Sequence, residues 1–372
     1  MLARDDGPSR GSEIARTLRM EVTPAEGQGF RLENLAGTLE VVRSEGPSVA
    51  VEVTVRSDSE QLAELVRLER SEGKDGGALV RVVFPLDRHR TFRYSPRPPG
   101  GSQWLNLLGG GSRWGGSYGG EHVEVAESDG APLHADVKIS LPEAVAAAEF
   151  LNRVGAITAH GIAGDLTFTS SWGPIDLRDL QGRISADAES EDLVVSGLRG
   201  SLRCSAASGS LSLEGIDEGD VDCTTASGDI RVQGGSGGRI TLKTASGSIE
   251  LRGASAREVD LSTASGDVDL EGGELPGISV GTASGDIRIS VPDAKAGTIA
   301  VSTASGDVRI GLAEDAAFET RGRIRGGRIK SLFDDATPVR EENRIVGYRR
   351  GEGGVRIEVN SMHGDLTLQP LR

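Results

Sequence analysis

The chain has 372 residues, of which 53 are glycine and only 3% aromatic, and it carries a net charge of −15. So few aromatic rings exclude an ordinary globular core. The acidic balance excludes nucleic acid or an anionic membrane surface as the main partner, since both reward a basic face. Two cysteines, Cys204 and Cys223, are too few for a disulfide framework. No apolar run approaches the ~18 residues of a membrane span. The start, Met1 to Arg10, has no apolar signal-peptide core; the protein is expected to be cytoplasmic, or to have lost its export signal.

Residues 1–17 are polar and read as a flexible N-terminus. An N-terminal β region follows over 18–142. Within it Arg31–Val42 and Ser48–Arg56 alternate apolar and polar residues with the period of strands. Ser59–Arg67 reads as a short helix capped by Ser59, and Ala78–Pro85 as another strand. Asp87–Gly120 breaks this pattern with Pro96, Pro98, Pro99 and the run Gly109 to Gly111. A loop of this length is either functional or disordered. Strand character returns at His122–Glu127 and Ala135–Leu141. Ala144–Leu151 is helical by propensity, although its neighbours are strands.

Residues 143–372 are dominated by one repeated pentapeptide. It occurs at Ala207–Leu211, Ala226–Ile230, Ala245–Ile249, Ala264–Val268, Ala283–Ile287 and Ala304–Val308, reading Ala-Ser-Gly-Asp/Ser-Ile/Val/Leu. The corner glycines, Gly209, Gly228, Gly247, Gly266, Gly285 and Gly306, are 19 residues apart and finally 21. An 18-residue spacing extends the series upstream to Gly155. A fixed period near 20 is the signature of a stacked repeat. Before each corner lies an apolar pair such as Val259/Leu261, and after it another such as Val268/Leu270. Each pair brackets a polar residue, as in a half-buried strand. The expected fold is therefore all-β, a single-stranded β-helix or β-solenoid with coils of about 18–21 residues. The charged stretch 331–354 reads as an insertion that could cap the stack, and an uncapped end would permit self-association through its strand edges.

Several residues are candidates for chemistry. Asp267, Asp286 and Asp307 fall in one corner column of consecutive coils and could offer Ca²⁺ clustered oxygens, although turn-forming is the simpler role. Cys204 and Cys223 share an inward apolar column; their Cα spacing falls within disulfide range, but buried free thiols are expected. Gly115-Gly-Ser-Tyr-Gly119 matches a hydrolase pattern without its strand–turn–helix context. The outward column Ser212, Arg231, Glu250, Asp269, Arg288, Arg309 is a mixed ladder rather than a carboxylate pair. The best binding candidate is the Asp87–Gly120 stretch, where Arg93, Tyr94, Trp104, Trp114 and Tyr118 could hold a protein or a polysaccharide.

The order Leu141-Pro142, Gly155-Ala-Ile157, Gly164-Asp-Leu166 and the tandem Thr-Ala-Ser-Gly-Asp units resembles the bacterial putative-adhesin family, a domain of unknown function. The likeness runs over roughly Leu18–Leu368. It implies a β-solenoid, frequent placement in the cell envelope or outside the cell, and an extended rather than helical Ala144–Leu151. It brings no catalytic residues. The expected function is a non-catalytic scaffold or adhesin-like binding protein, with a carbohydrate-active β-helix enzyme (polysaccharide lyase or glycosidase) as the alternative.

Overall fold

The computed structural model describes residues 13–24, 27–73, 76–95, 113–293, 297–342 and 344–371. Two compact units cover Met1–Gly173 and Pro174–Arg372. The fold is all-β: among the described residues the sole α-helix is Glu60–Leu65. Its N-cap is Ser59, whose hydroxyl accepts the N–H of Leu62, as its position before the apolar pattern predicts.

The first unit already contains coil structure. Phe30–Ala36 and Leu39–Ser44 form two sides of a bend at Gly37. Ala147–Val154 pairs parallel with the first of these strands, and Ile157–His160 with the second. The second bend, at Gly155, stacks on Gly37 so closely that a β-carbon at 155 would collide with the Gly37 carbonyl. Coil structure thus also occurs upstream of the visible repeat. Between these coils the chain makes an antiparallel excursion, in which Val49–Ser57 pairs with both Ile14–Val22 and Leu133–Pro142.

The segment with helical propensity is the strand Ala147–Val154, as the family resemblance implies. It pairs on one side with Phe30–Ala36 and on the other with Ala163–Trp172. Phe150 lies between Phe30 and Phe168, with ring centroids 6.3 and 5.2 Å apart. Two partner strands and a buried ring override a weak local preference. Beside the rings runs a buried polar column. Asn34 donates to the side-chain oxygen of Asn152, which in turn donates to the Gly37 carbonyl.

In the second unit the coils stack in parallel register. Ile175 pairs with Leu193, 18 residues on; Ile230 pairs with Ile249 after 19; Ile287 pairs with Val308 after 21. Each of the expected apolar pairs is buried, including Val259, Leu261, Val268, Leu270, Ile287 and Ile289. At roughly 1.5–3 kcal/mol for each such side chain, these columns supply the cohesion that aromatic rings supply elsewhere. Corner threonines complete the layer: Thr225, Thr244, Thr263 and Thr282 donate to the carbonyls of Gly209, Gly228, Gly247 and Gly266.

Two details depart from the sequence reading. Cys204 and Cys223 are not free thiols but form a disulfide, with Cα atoms 4.6 Å apart. Parallel register places the two residues directly opposite each other on adjacent strands, which is the approach a disulfide requires. The second concerns the order of the last coils. Val355–His363 pairs with Gly297–Ser305 on one side and with the earlier strand Phe318–Gly326 on the other. Leu366–Leu371 is likewise held between Val308–Ala313 and Ile329–Ser331. The last coil in sequence therefore fills the penultimate level. The outermost level belongs to Phe318–Gly326 and Ile329–Ser331. The expected insertion 331–354 contains an antiparallel hairpin, Thr337–Glu341 with Arg344–Arg350.

Candidate functional site

The corner aspartates form a structural ladder. The Asp267 carboxylate accepts the backbone N–H of Asp286, Asp286 accepts that of Asp307, and Asp307 accepts that of Asp365, at 2.8–2.9 Å. The second oxygens face cations: Asp286 lies 3.6 Å from Arg288 and Arg309, and Asp307 3.3 Å from Arg309. The Asp286 and Asp307 carboxylates thus meet both backbone and guanidinium donors, and Asp267 a backbone donor. Among the described residues no group of three or more His, Cys, Asp or Glu could hold a metal ion. The outward column is likewise an ion-pair ladder, with Arg231 near Asp229 and Glu250, and Arg252 near Glu250 and Asp269.

Part of the aromatic stretch forms a small sheet. Thr91–Arg93 and Arg113–Tyr118 flank Glu121–Ala126, and Gly115 to Tyr118 of the Gly-x-Ser-x-Gly pattern lie along a strand, with Gly119 in the turn that follows, rather than at a strand-to-helix elbow. Trp104 lies outside the described residues. Trp114 is half-buried, its ring laid over Gly116, where a β-carbon would collide with the indole. Tyr118, expected to meet a ligand, is instead buried, 3% exposed, and its one hydroxyl hydrogen is shared between the carbonyls of Val82 at 2.6 Å and Glu33 at 3.0 Å. It pins the small sheet to the unit instead of meeting a ligand. Burial raises the Tyr118 phenol well above its ordinary value.

Tyr94 packs against His134 with ring centroids 4.8 Å apart. Burial, with Asp136 nearby, raises the Tyr94 phenol to about 12. Burial also lowers the His134 imidazole. Asp136 is held below the usual carboxylate range: burial opposes its charge, but donors from Thr38 and Arg56 outweigh that cost. Three arginines of this stretch are ion-paired. Arg93 lies 3.5 Å from Asp58, Arg90 2.7 Å from Glu121, and Arg113 2.9 Å from Glu124.

A basic cleft in the second unit went unnoticed in the sequence. It encloses about 990 Å³ between the outermost strand Phe318–Gly326 and the tip of the hairpin. Arg321, Arg323, Arg325, Arg328 and Lys330 line one wall, Arg340 and Arg344 the other, and Glu341 and Glu342 stand at the hairpin turn. Ile324, Ile329, Val339, Ile345 and Val346 give it an apolar lining. The hairpin is fixed at its base: Arg349 pairs with Glu319, and Arg350 pairs with Asp335, donates to the Ala316 carbonyl and lies over the Phe333 ring. Its pairing with the outermost strand covers only Phe318 and Glu319. A sequence signal was available, since residues 321–330 read Arg-Gly-Arg-Ile-Arg-Gly-Gly-Arg-Ile-Lys, without an acid, in a strongly acidic chain.

Residues 136–369 match the family model described as Toastrack DUF4097. No curated protein matches the chain. Among solved structures, the chain is similar to a putative adhesin from Parabacteroides merdae ATCC 43184, at 12% identity over 96% of this chain and 97% of that one, with a TM-score of 0.39. It is similar to a putative adhesin from Parabacteroides distasonis ATCC 8503, at 14% identity over 97% and 98%, with a TM-score of 0.40. A putative lipid binding protein from the same strain shares 8% identity over 96% and 97%, with a TM-score of 0.30. Likenesses this distant carry no argument about function.

Proposed function

The chain belongs to the Toastrack DUF4097 family, and on that premise we propose that it is a non-catalytic β-solenoid scaffold that presents adhesin-like binding surfaces. The observation that carries this reading is the aspartate ladder. The polar residues that recur along the coils, which in a β-helix enzyme would be free to act on substrate, are spent on the backbone of the next coil. Recognition then belongs to segments that leave the repeat. The Cys204–Cys223 disulfide supports an oxidising setting such as a bacterial cell envelope or the extracellular space.

Incubation of the full chain with a panel of acidic and neutral polysaccharides tests the assignment. We expect every polysaccharide to keep its chain length. New reducing ends or unsaturated products would overturn it in favour of a lyase or glycosidase.

A further inference from the structure

We propose that the basic cleft at the outermost coil is a binding site for an extended acidic polypeptide segment, which adds as a strand to the edge of Phe318–Gly326. The proposal rests on the reading of the chain as a binding scaffold and names the partner class of one surface.

Three observations converge on it. The first is charge. In a chain of net charge −15, seven cationic side chains line one cleft. Arg323, Arg325 and Arg340 are exposed and, among the described residues, have no carboxylate within ion-pair distance. This contrasts with the arginines along the coils, such as Arg231 and Arg309, which are paired. Arg321 lies 3.7 Å from Glu319 and Lys330 3.2 Å from Asp365, so it is the unneutralised charge of Arg323, Arg325 and Arg340 that favours an anionic partner.

The second is the backbone. Phe318–Gly326 is paired with Val355–His363 on its inner side over almost its full length, but with the hairpin only at Phe318 and Glu319. Gly347 still lies against the Thr320 carbonyl; beyond it the ladder is not continued, and the Ile324 carbonyl accepts from the Arg344 guanidinium at 3.4 Å. An open strand edge inside a walled cleft is the geometry of strand addition, in which main-chain hydrogen bonds give affinity and side-chain contacts give specificity.

The third is period. Arg321, Arg323 and Arg325 alternate along the strand and so repeat at about 7 Å on one face. A polypeptide strand laid alongside has the same repeat, so acids at every second residue meet these arginines in register. The residues between them would meet the apolar lining, which includes Ile324, Ile345 and Val346. Among the described residues no aromatic side chain lines the cleft, so they offer no stacking platform for nucleic-acid bases. These features favour a polypeptide over an anionic glycan or an oligonucleotide.

The test is a fluorescence-anisotropy titration of the full chain with a labelled, end-blocked (Glu-Val)4 peptide at about 50 and 200 mM salt. The expected result is saturable binding that weakens with salt. It should weaken at least tenfold in Arg323→Glu/Arg325→Glu and in Arg340→Glu. It should be unchanged in Arg203→Glu, an exposed position on the coils. Methylating alternate backbone amides of the peptide leaves its charge intact but should also cost at least tenfold. Melting curves establish that each variant folds, and the hairpin variant reports independently if the strand variant does not. Absence of binding, equal binding by the methylated peptide, or indifference to both cleft variants would overturn the proposal. Tighter binding of an oligogalacturonate or an oligothymidylate of matched charge would overturn it in favour of that ligand. The polysaccharide turnover screen decides the scaffold reading separately.

Discussion

The Asp286 carboxylate accepts the backbone N–H of Asp307 at 2.9 Å, one coil further along the stack. A side chain that looks like a candidate ligand in the sequence is therefore a rung between coils. Asp286→Ala removes the acceptor and leaves a partly buried N–H unpaired. We expect a loss of about 1–2 kcal/mol in chemical denaturation. Asp286→Asn keeps an acceptor oxygen and should lose less. Calorimetric titration with Ca²⁺ should show no heat, because these oxygens already have donors.

The corner glycines are required for a different reason. A β-carbon at Gly306 would collide with the carbonyl of Gly285, and φ at Gly306 is +137°. Gly306→Ala must therefore separate two coils and strain the backbone as well. A loss of about 2–4 kcal/mol is expected, well above that of alanine at an exposed strand position such as Ser302. Parallel urea melts of the two variants make the comparison.

The disulfide joins coils 19 residues apart. By loop-closure entropy, opening it should cost about 3 kcal/mol. The oxidised protein should show no free thiol after denaturation without reductant. The double variant Cys204→Ala/Cys223→Ala should unfold at lower urea. Two reactive thiols in the unreduced, denatured protein would contradict the pairing.

His134 and Asp136 make stability depend on pH. The folded-state value of His134 is depressed, so between its unfolded value of ~6.5 and that lower value the unfolded chain binds more protons. Stability is therefore fully present above ~6.5 and falls as the solution is acidified through that window. Asp136 is also depressed. Its contribution is present above the ordinary carboxylate value and is lost as pH falls through its folded value. His134→Gln should flatten the first phase in denaturation midpoints between pH 7 and 5, and leave the second in place.

Truncation after Gly354 would remove Val355–His363 and Leu366–Leu371 from the inside of the stack. This would expose the edges of Gly297–Ser305 and Val308–Ala313 together with those of the outermost coil. Such edges template association. Light scattering should detect aggregation of the truncated chain at concentrations where the full chain stays dispersed.

The repeat is legible in the sequence. A corner of small residues every 18–21 positions, flanked by apolar pairs, admits few solutions except stacked coils, because each coil can bury its apolar face only on its neighbour. The register, the buried columns and the structural character of Thr225, Thr244, Thr263 and Thr282 follow from that one constraint. What spacing cannot convey is contact between segments far apart in the chain. The stacking of Gly155 on Gly37, the burial of Tyr118 against Glu33 and Val82, and the return of Val355–His363 to an inner level all depend on long-range pairing. The basic cleft is of the same kind. Its arginines stand together in the sequence, but only the incomplete pairing of the hairpin with Phe318–Gly326 opens a space beside them. Local periodicity determined the coil, and non-local backbone pairing decided where the coil is left open.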